Sequence, residues 1–113
     1  MKIINITKGV VLAENAVCAS TVFKRLKGLL GKKSLRDGEA LVIKPCNSIH
    51  SFFMQFPIDV LFVDRSDKVV SAISSFAPAR ISKIYFHASY VIELPAGLIK
   101  ATSSSPGDQL GIS

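Results

Sequence analysis

Hydrophobic and polar residues along this chain alternate in short runs more often than they recur at helical spacing. Lys2 to Ile6 and Val10 to Ala13 are β-prone runs separated by Thr7-Lys8-Gly9, where glycine can supply the positive φ of a tight turn. The pattern predicts an N-terminal hairpin. Glu14-Asn15 is a second turn signal, with Ala16 to Ala19 as a further short strand. Ala40 to Ile43 is wholly apolar and is ended by Pro45. Ile49 to Met54 and Ile58 to Val63 are strand-like on either side of Pro57, and Arg65 to Lys68 is a polar loop of hairpin length leading into Val69 to Phe76. Residues 79 to 88 have a weak mixed pattern, read as a loop or a short strand. Ser89 to Leu94 is the next strand, stopped by Pro95-Ala96-Gly97; Thr102 to Asp108 is a polar loop and Gln109 to Ile112 a closing strand.

One segment departs from the β pattern. Ser20-Thr21 is an N-cap signal, because a hydroxyl there accepts from the open amides of a first helical turn. Val22, Phe23, Leu26 and Leu30 then recur at helical spacing, and Gly31 with Lys32-Lys33 suits a helix C-terminus. Seven to nine short strands spaced roughly 8–12 residues apart, with one short helix near residues 21–30, predict a mainly-β fold. The expected architecture is a small β-barrel or sandwich, with residues 1–113 forming a single domain.

Composition sharpens this picture. The chain has 113 residues, of which 49 % are hydrophobic and 19 % charged, and it carries a net charge of +6. A high apolar share with few charges fits strands buried on both faces, or an apolar patch covered in a homo-oligomer. No run approaches the roughly 18 apolar residues of a membrane span. The N-terminal run is broken by Asn5 and Lys8 before a signal-peptide core forms, and the two cysteines are too few for a disulfide framework. Together these predict a cytoplasmic protein. Six cations, Lys24, Arg25, Lys27, Lys32, Lys33 and Arg36, occur with no acid among them. Such a segment can attract nucleic acid, anionic lipid, an anionic ligand or an acidic protein, although a solvated helix face with a polar loop is the commoner outcome. Nucleic acid is the weaker choice, since only Phe23 is at hand for base stacking.

Several motifs, taken in order, point to a family. Arg25-Leu26-Lys27-Gly28-Leu29-Leu30, Gly38-Glu39-Ala40-Leu41, Phe53-Met54, Pro57-Ile58-Asp59, Glu93-Leu94-Pro95-Ala96-Gly97 and Gly107-Asp108 resemble the uncharacterised family known as domain of unknown function 192, or DUF192. Leu30 and Ala40 depart from the pattern, which commonly has Met and Gly there. The resemblance implies a compact, mainly-β barrel or sandwich with a short helix. It supplies no activity, substrate or catalytic residue.

Candidate chemistry therefore rests on individual residues. The densest stretch is Pro45 to Asp64, with one cysteine, one histidine and four of the seven phenylalanines. Within an extended strand, Asp59 shares a face with Leu61 and Val63, while Ile58, Val60 and Phe62 face the other way. An unpaired carboxylate buried there would cost several kcal/mol, so Asp59 must be hydrogen-bonded to amides, paired with Arg25 or Arg80, or placed at the floor of a pocket. Glu93 raises the same question on the face it shares with Val91. If Ile49 to Met54 is extended, His50, Phe52 and Met54 share a face that lines either a core or a cavity. Cys46 and His50 have soft-metal donor types, but no second pair in a fitting pattern completes a site, so no metal and no cofactor are expected.

The leading expectation is a binding or interaction module for a small anionic ligand or an acidic partner, using His50, Asp59, Glu93, Arg25 and Met54. The alternative is a hydrolytic or metal-assisted enzyme using His50, Asp59 and Glu93.

Overall fold

The computed structural model describes residues 1–19, 35–51 and 55–113; the helix expected near residues 21–30, and with it Arg25 and Met54, lies outside the described residues. Among the described residues there are eight strands and one short helix: β1 (Ile3–Asn5), β2 (Val10–Ala13), β3 (Asn15–Ala19), β4 (Glu39–Ile43), β5 (Ile58–Val63), β6 (Val69–Phe76), β7 (Tyr90–Pro95), α1 (Leu98–Thr102) and β8 (Leu110–Ile112).

The strands form two sheets. A small antiparallel sheet has the order β2-β1-β8, and a larger one the order β3-β4-β7-β5-β6. Only β3 and β4 of the larger sheet run parallel. The β1–β2 connection is the predicted hairpin, and Gly9 adopts a φ of 67° in its turn. The sheets are stitched at two corners. Met1 and Ala16 exchange hydrogen bonds at one, and at the other Lys68 bridges Gln109 while the Val69 amide donates to Asp108 O at 2.9 Å. These are local seams and not continuous ladders, so among the described residues the sheets do not close into a barrel. The sandwich is the architecture that holds.

Burial explains the sequence pattern. Every residue of β5 and β7 is buried, as expected of central strands covered on both faces. On one face Leu61, Val63, Tyr90, Ile92 and Leu94 pack with Ile3, Leu12, Ile99 and Leu110, filling the space between the sheets and under α1. On the other, Val60, Phe62 and Val91 pack with Leu35, Ile49, Phe56 and Phe76. Phe56 and Phe62 are therefore core residues.

A polar cluster locks the β8 side of the sandwich. Asn5, fully buried, donates from Nδ2 to Ser104 Oγ at 3.0 Å and to Asp108 Oδ2 at 2.8 Å. Lys8 closes on Asp108 at 3.0 Å. Burial pushes the Asp108 carboxyl up, but hydrogen bonds from Asn5, Lys8 and the Ser105 amide, with the charge of Lys8, hold it below the ordinary carboxylate value. Gly107-Asp108 is thus a turn whose carboxylate ties together chain segments about a hundred residues apart.

Two expectations change. Ile49 to Ser51 do not form a strand, and His50 pairs with Ile81 in an isolated bridge. Helix α1 was not anticipated, and its cause lies in Asp59.

Candidate functional site

Asp59 is fully buried and both of its oxygens are engaged. Oδ1 accepts from the Ser75 amide at 2.8 Å, and Oδ2 from the Ile99 amide at 2.8 Å. The first bond is made by a β-bulge. Ile58 pairs with Phe76 and Val60 with Ile73, so Asp59 stands opposite two residues, Ser74 and Ser75. Ser75 takes a φ of 55°, which presents its N–H to the carboxylate. The second bond caps α1. Gly97 occupies the N-cap position with no side chain to do so, and Asp59 accepts one of the open first-turn amides from a neighbouring strand.

Glu93 does not join it. Glu93 pairs with Val60 and Leu41, whereas Asp59 pairs with Leu94, so the two carboxylates point to opposite faces of the sheet. Glu93 is 5 % exposed and held by neighbours of its own. His50 is exposed and bridges Ile81, whereas Asp59 is fully buried. The structure therefore does not bring Asp59 and Glu93 together, and among the described residues no three His, Cys, Asp or Glu side chains group as metal ligands.

What the fold does build is a surface from two irregular segments. Residues 46–51 and 77–89 run alongside one another without forming regular strands. Backbone bonds join Cys46 N to Ser89 O, Tyr85 N to Asn47 O, Ser82 N to Ile49 O, Ser51 N to Arg80 O and Ala79 N to Ser51 O, at 2.8–3.1 Å. Ser51, 1 % exposed, adds its hydroxyl, which donates to Ala77 O at 2.6 Å and accepts from Arg80 N at 3.0 Å. Tyr85 anchors the second segment by packing its ring on Phe62, with centroids 4.1 Å apart. These contacts hold the loops as fixed features of the surface.

Along this surface lies an open cleft of about 360 Å³, lined by residues 45–50 and Ile81. Cys46 and His50 both face it, and the Cys46 thiol donates to Ser48 O at 2.9 Å. Ile81 on the cleft wall, and Ile84 and Phe86 further along the same segment, stand 70 %, 51 % and 82 % exposed. Arg80, Lys83 and His87 are exposed among them. Residues 40–58 and 68–92 contain no Asp or Glu, so no acid from either segment offsets these cations. Residues 79–88, read from the sequence as a loop or a short strand, form a loop, but periodicity, which they lack, gave no reason to single out their exposed side chains. The available signal was composition: large apolar residues interleaved with cations where no strand could bury them.

The comparisons with known proteins agree with the fold. A UPF0127 protein of Thermococcus gammatolerans is 38 % identical over 113 residues, covering 94 % of this chain and 71 % of its own. A UPF0127 protein of Pyrococcus abyssi is 37 % identical, covering 96 % of this chain and 94 % of its own. Among solved structures, a protein of unknown function from Novosphingobium aromaticivorans superposes with a TM-score of 0.85 at 21 % identity, over 99 % of this chain and 84 % of that one. The family model DUF192, described as an uncharacterized ACR, matches residues 3–112. With its ordered motifs and nearly its whole length accounted for, the chain belongs to the DUF192 family.

Proposed function

We propose that this domain is a binding or interaction module that recognises a small anionic ligand or an acidic partner at the face built by residues 45–51 and 79–88. The supporting observation is the acid-free composition of both segments around an open cleft, with Arg80, Lys83 and His87 exposed and His50 on its wall. On a chain of net charge +6, such a face raises the local concentration of anions and speeds their encounter. His50 serves as a contact residue. Asp59 and Glu93 act from inside the core, where Asp59 fixes the β6 bulge and α1. The two cysteines, in dissimilar contexts, suit a cytoplasmic setting. No helix among the described residues is long and apolar enough to cross a membrane.

The enzyme alternative has weaker support. General acid–base chemistry with His50, Asp59 and Glu93 needs the groups to converge on one substrate, and the two carboxylates lie on opposite faces of the sheet.

Thermal shift against inorganic phosphate, nucleotides and a polyglutamate peptide tests the binding reading. A bound anion at about a hundred times its Kd adds about 2.7 kcal/mol, which raises Tm by roughly 10 °C in a domain of this size. The stabilisation should be salt-sensitive and should fall sharply in the double variant Arg80→Glu, Lys83→Glu. If no anion stabilises the protein, or the charge-reversed variant responds equally, the reading fails.

A further inference from the structure

Resting on this reading of the face, we infer that its partner is a polypeptide segment combining acidic and large apolar side chains, with Ile81, Ile84 and Phe86 as the anchors that hold it. Single exposed apolar residues are ordinary on a protein surface. Here three large ones fall within six residues of one another along a single segment, each exposed by half or more. Together they present on the order of 300–400 Å² of apolar surface, a size at which a patch on a monomer is often functional. Nor is the exposure a consequence of a loose loop. The backbone of 79–89 is tied to 46–51, and Tyr85 is seated on Phe62, so the neighbouring Phe86 is held outward by a fixed chain path.

The chemistry of the patch selects among occupants. A small inorganic anion would use Arg80 and Lys83 and leave the apolar side chains wet. A second copy meeting the same face would set these cations against their own equivalents with no acid between them, which costs association energy. A flat anionic bilayer would meet the cations and the protruding side chains but has no use for a concave feature. The cleft of about 360 Å³ beside Ile81 has room for one or two side chains. A polypeptide with alternating acidic and apolar residues meets all three features. Its carboxylates reach Arg80 and Lys83, its apolar residues cover Ile84 and Phe86, and one side chain enters the cleft between Ile81 and His50.

Fluorescence anisotropy with labelled synthetic peptides tests this on the full chain. One peptide alternates Asp or Glu with Leu or Phe, a second has Ser at each apolar position, and a third has Lys at each acidic one. The first should bind at least about tenfold more tightly than either of the others. Phe86→Ser and Ile81→Ser should each weaken binding by about tenfold or more, the factor expected when a buried anchor is removed. Both positions are exposed, and unchanged circular dichroism and Tm will show that the fold is intact. Equal binding of the first two peptides overturns the apolar anchors but leaves the anion-binding reading standing. Phe86-dependent sedimentation with phosphatidylcholine–phosphatidylserine vesicles, without peptide binding, overturns the inference in favour of a lipid surface. Phe86-dependent dimers in light scattering, again without peptide binding, overturn it in favour of a second copy. If neither peptides nor the anions of the thermal-shift assay bind, both readings fall.

Discussion

Replacing Asp59 by Asn changes one oxygen to an amide nitrogen and little else in shape, yet it should cost much of the fold's margin. In the native domain the carboxylate accepts two backbone N–H groups at 2.8 Å, from Ser75 and Ile99, in a fully buried position. An asparagine can accept with only one atom, so one amide must face an NH₂ group. A buried donor left unsatisfied costs about 1–3 kcal/mol, and a hydrogen bond to a charged acceptor contributes about 1.5–3 kcal/mol. The left-handed Ser75 adds about 1 kcal/mol or more of backbone cost that the bond no longer offsets. A loss of about 2–4 kcal/mol is expected for Asn, and more for Ala, which orphans both amides. Small domains have only about 5–15 kcal/mol in total, so the Ala variant will be at risk of unfolding and Asn is the better probe. Urea unfolding followed by far-UV circular dichroism gives the magnitude, since the chain has no tryptophan. Amide exchange then locates it. Protection should fall first at Ser75 and Ile99 and through α1, while β7 keeps its protection. A change below about 0.5 kcal/mol, with exchange at both amides unaltered, would refute the account of Asp59 as the cap that assembles α1 and the bulge.

Two further predictions concern pH. The Asp108 carboxyl lies below its ordinary value of 3.8 in the folded state, so its contribution to stability is complete above that value and is lost as pH falls through the lower folded value. Asp108→Asn should therefore flatten the acid limb of a stability-versus-pH curve below about pH 4, and an unchanged acid limb would remove Asp108 from the explanation. Tyr90 behaves in the opposite sense. Burial pushes its hydroxyl well above the usual 10.0, reinforced by its 2.6 Å bond to Asp67 and by the charges of Asp67 and Asp64. Its stabilisation is full below pH 10 and is lost as pH rises beyond, so Tyr90→Phe should lower stability by about 1 kcal/mol at neutral pH and weaken the loss seen in alkali. An alkaline denaturation curve identical to that of the parent chain would count against this.

The family motifs gain a physical meaning from the structure. Asp59 of the Pro57-Ile58-Asp59 motif and Gly97 of the Glu93-to-Gly97 motif meet at the start of α1, where the glycine takes a φ of 96° and the carboxylate caps the next turn. Asp108 closes the same side of the sandwich against Asn5 and Lys8. These carboxylates hold the framework together, while the surface proposed for recognition lies on segments outside the motifs.

Local pattern was enough to place most strands and to tell which way their residues face. The alternation that set Asp59 with Leu61 and Val63, and Glu93 with Val91, survives in the pairing register, because side-chain direction in a strand depends on parity alone. Buried central strands were legible as near-continuous apolar runs because both of their faces are covered. What strand parity could not settle was which face of one strand matches which face of the next, since that depends on register between segments more than thirty residues apart. Only pairing showed that Asp59 and Glu93 look in opposite directions. Helix α1 is too short for periodicity to declare it, and its cap comes from a strand about forty residues earlier in the chain. The exposed apolar and cationic face was hidden for a related reason. Residues 46–51 and 77–89 are ordered by bonds to each other and carry no repeat of their own, so the exposure of Ile81, Ile84 and Phe86 became visible only once tertiary structure had fixed both loops.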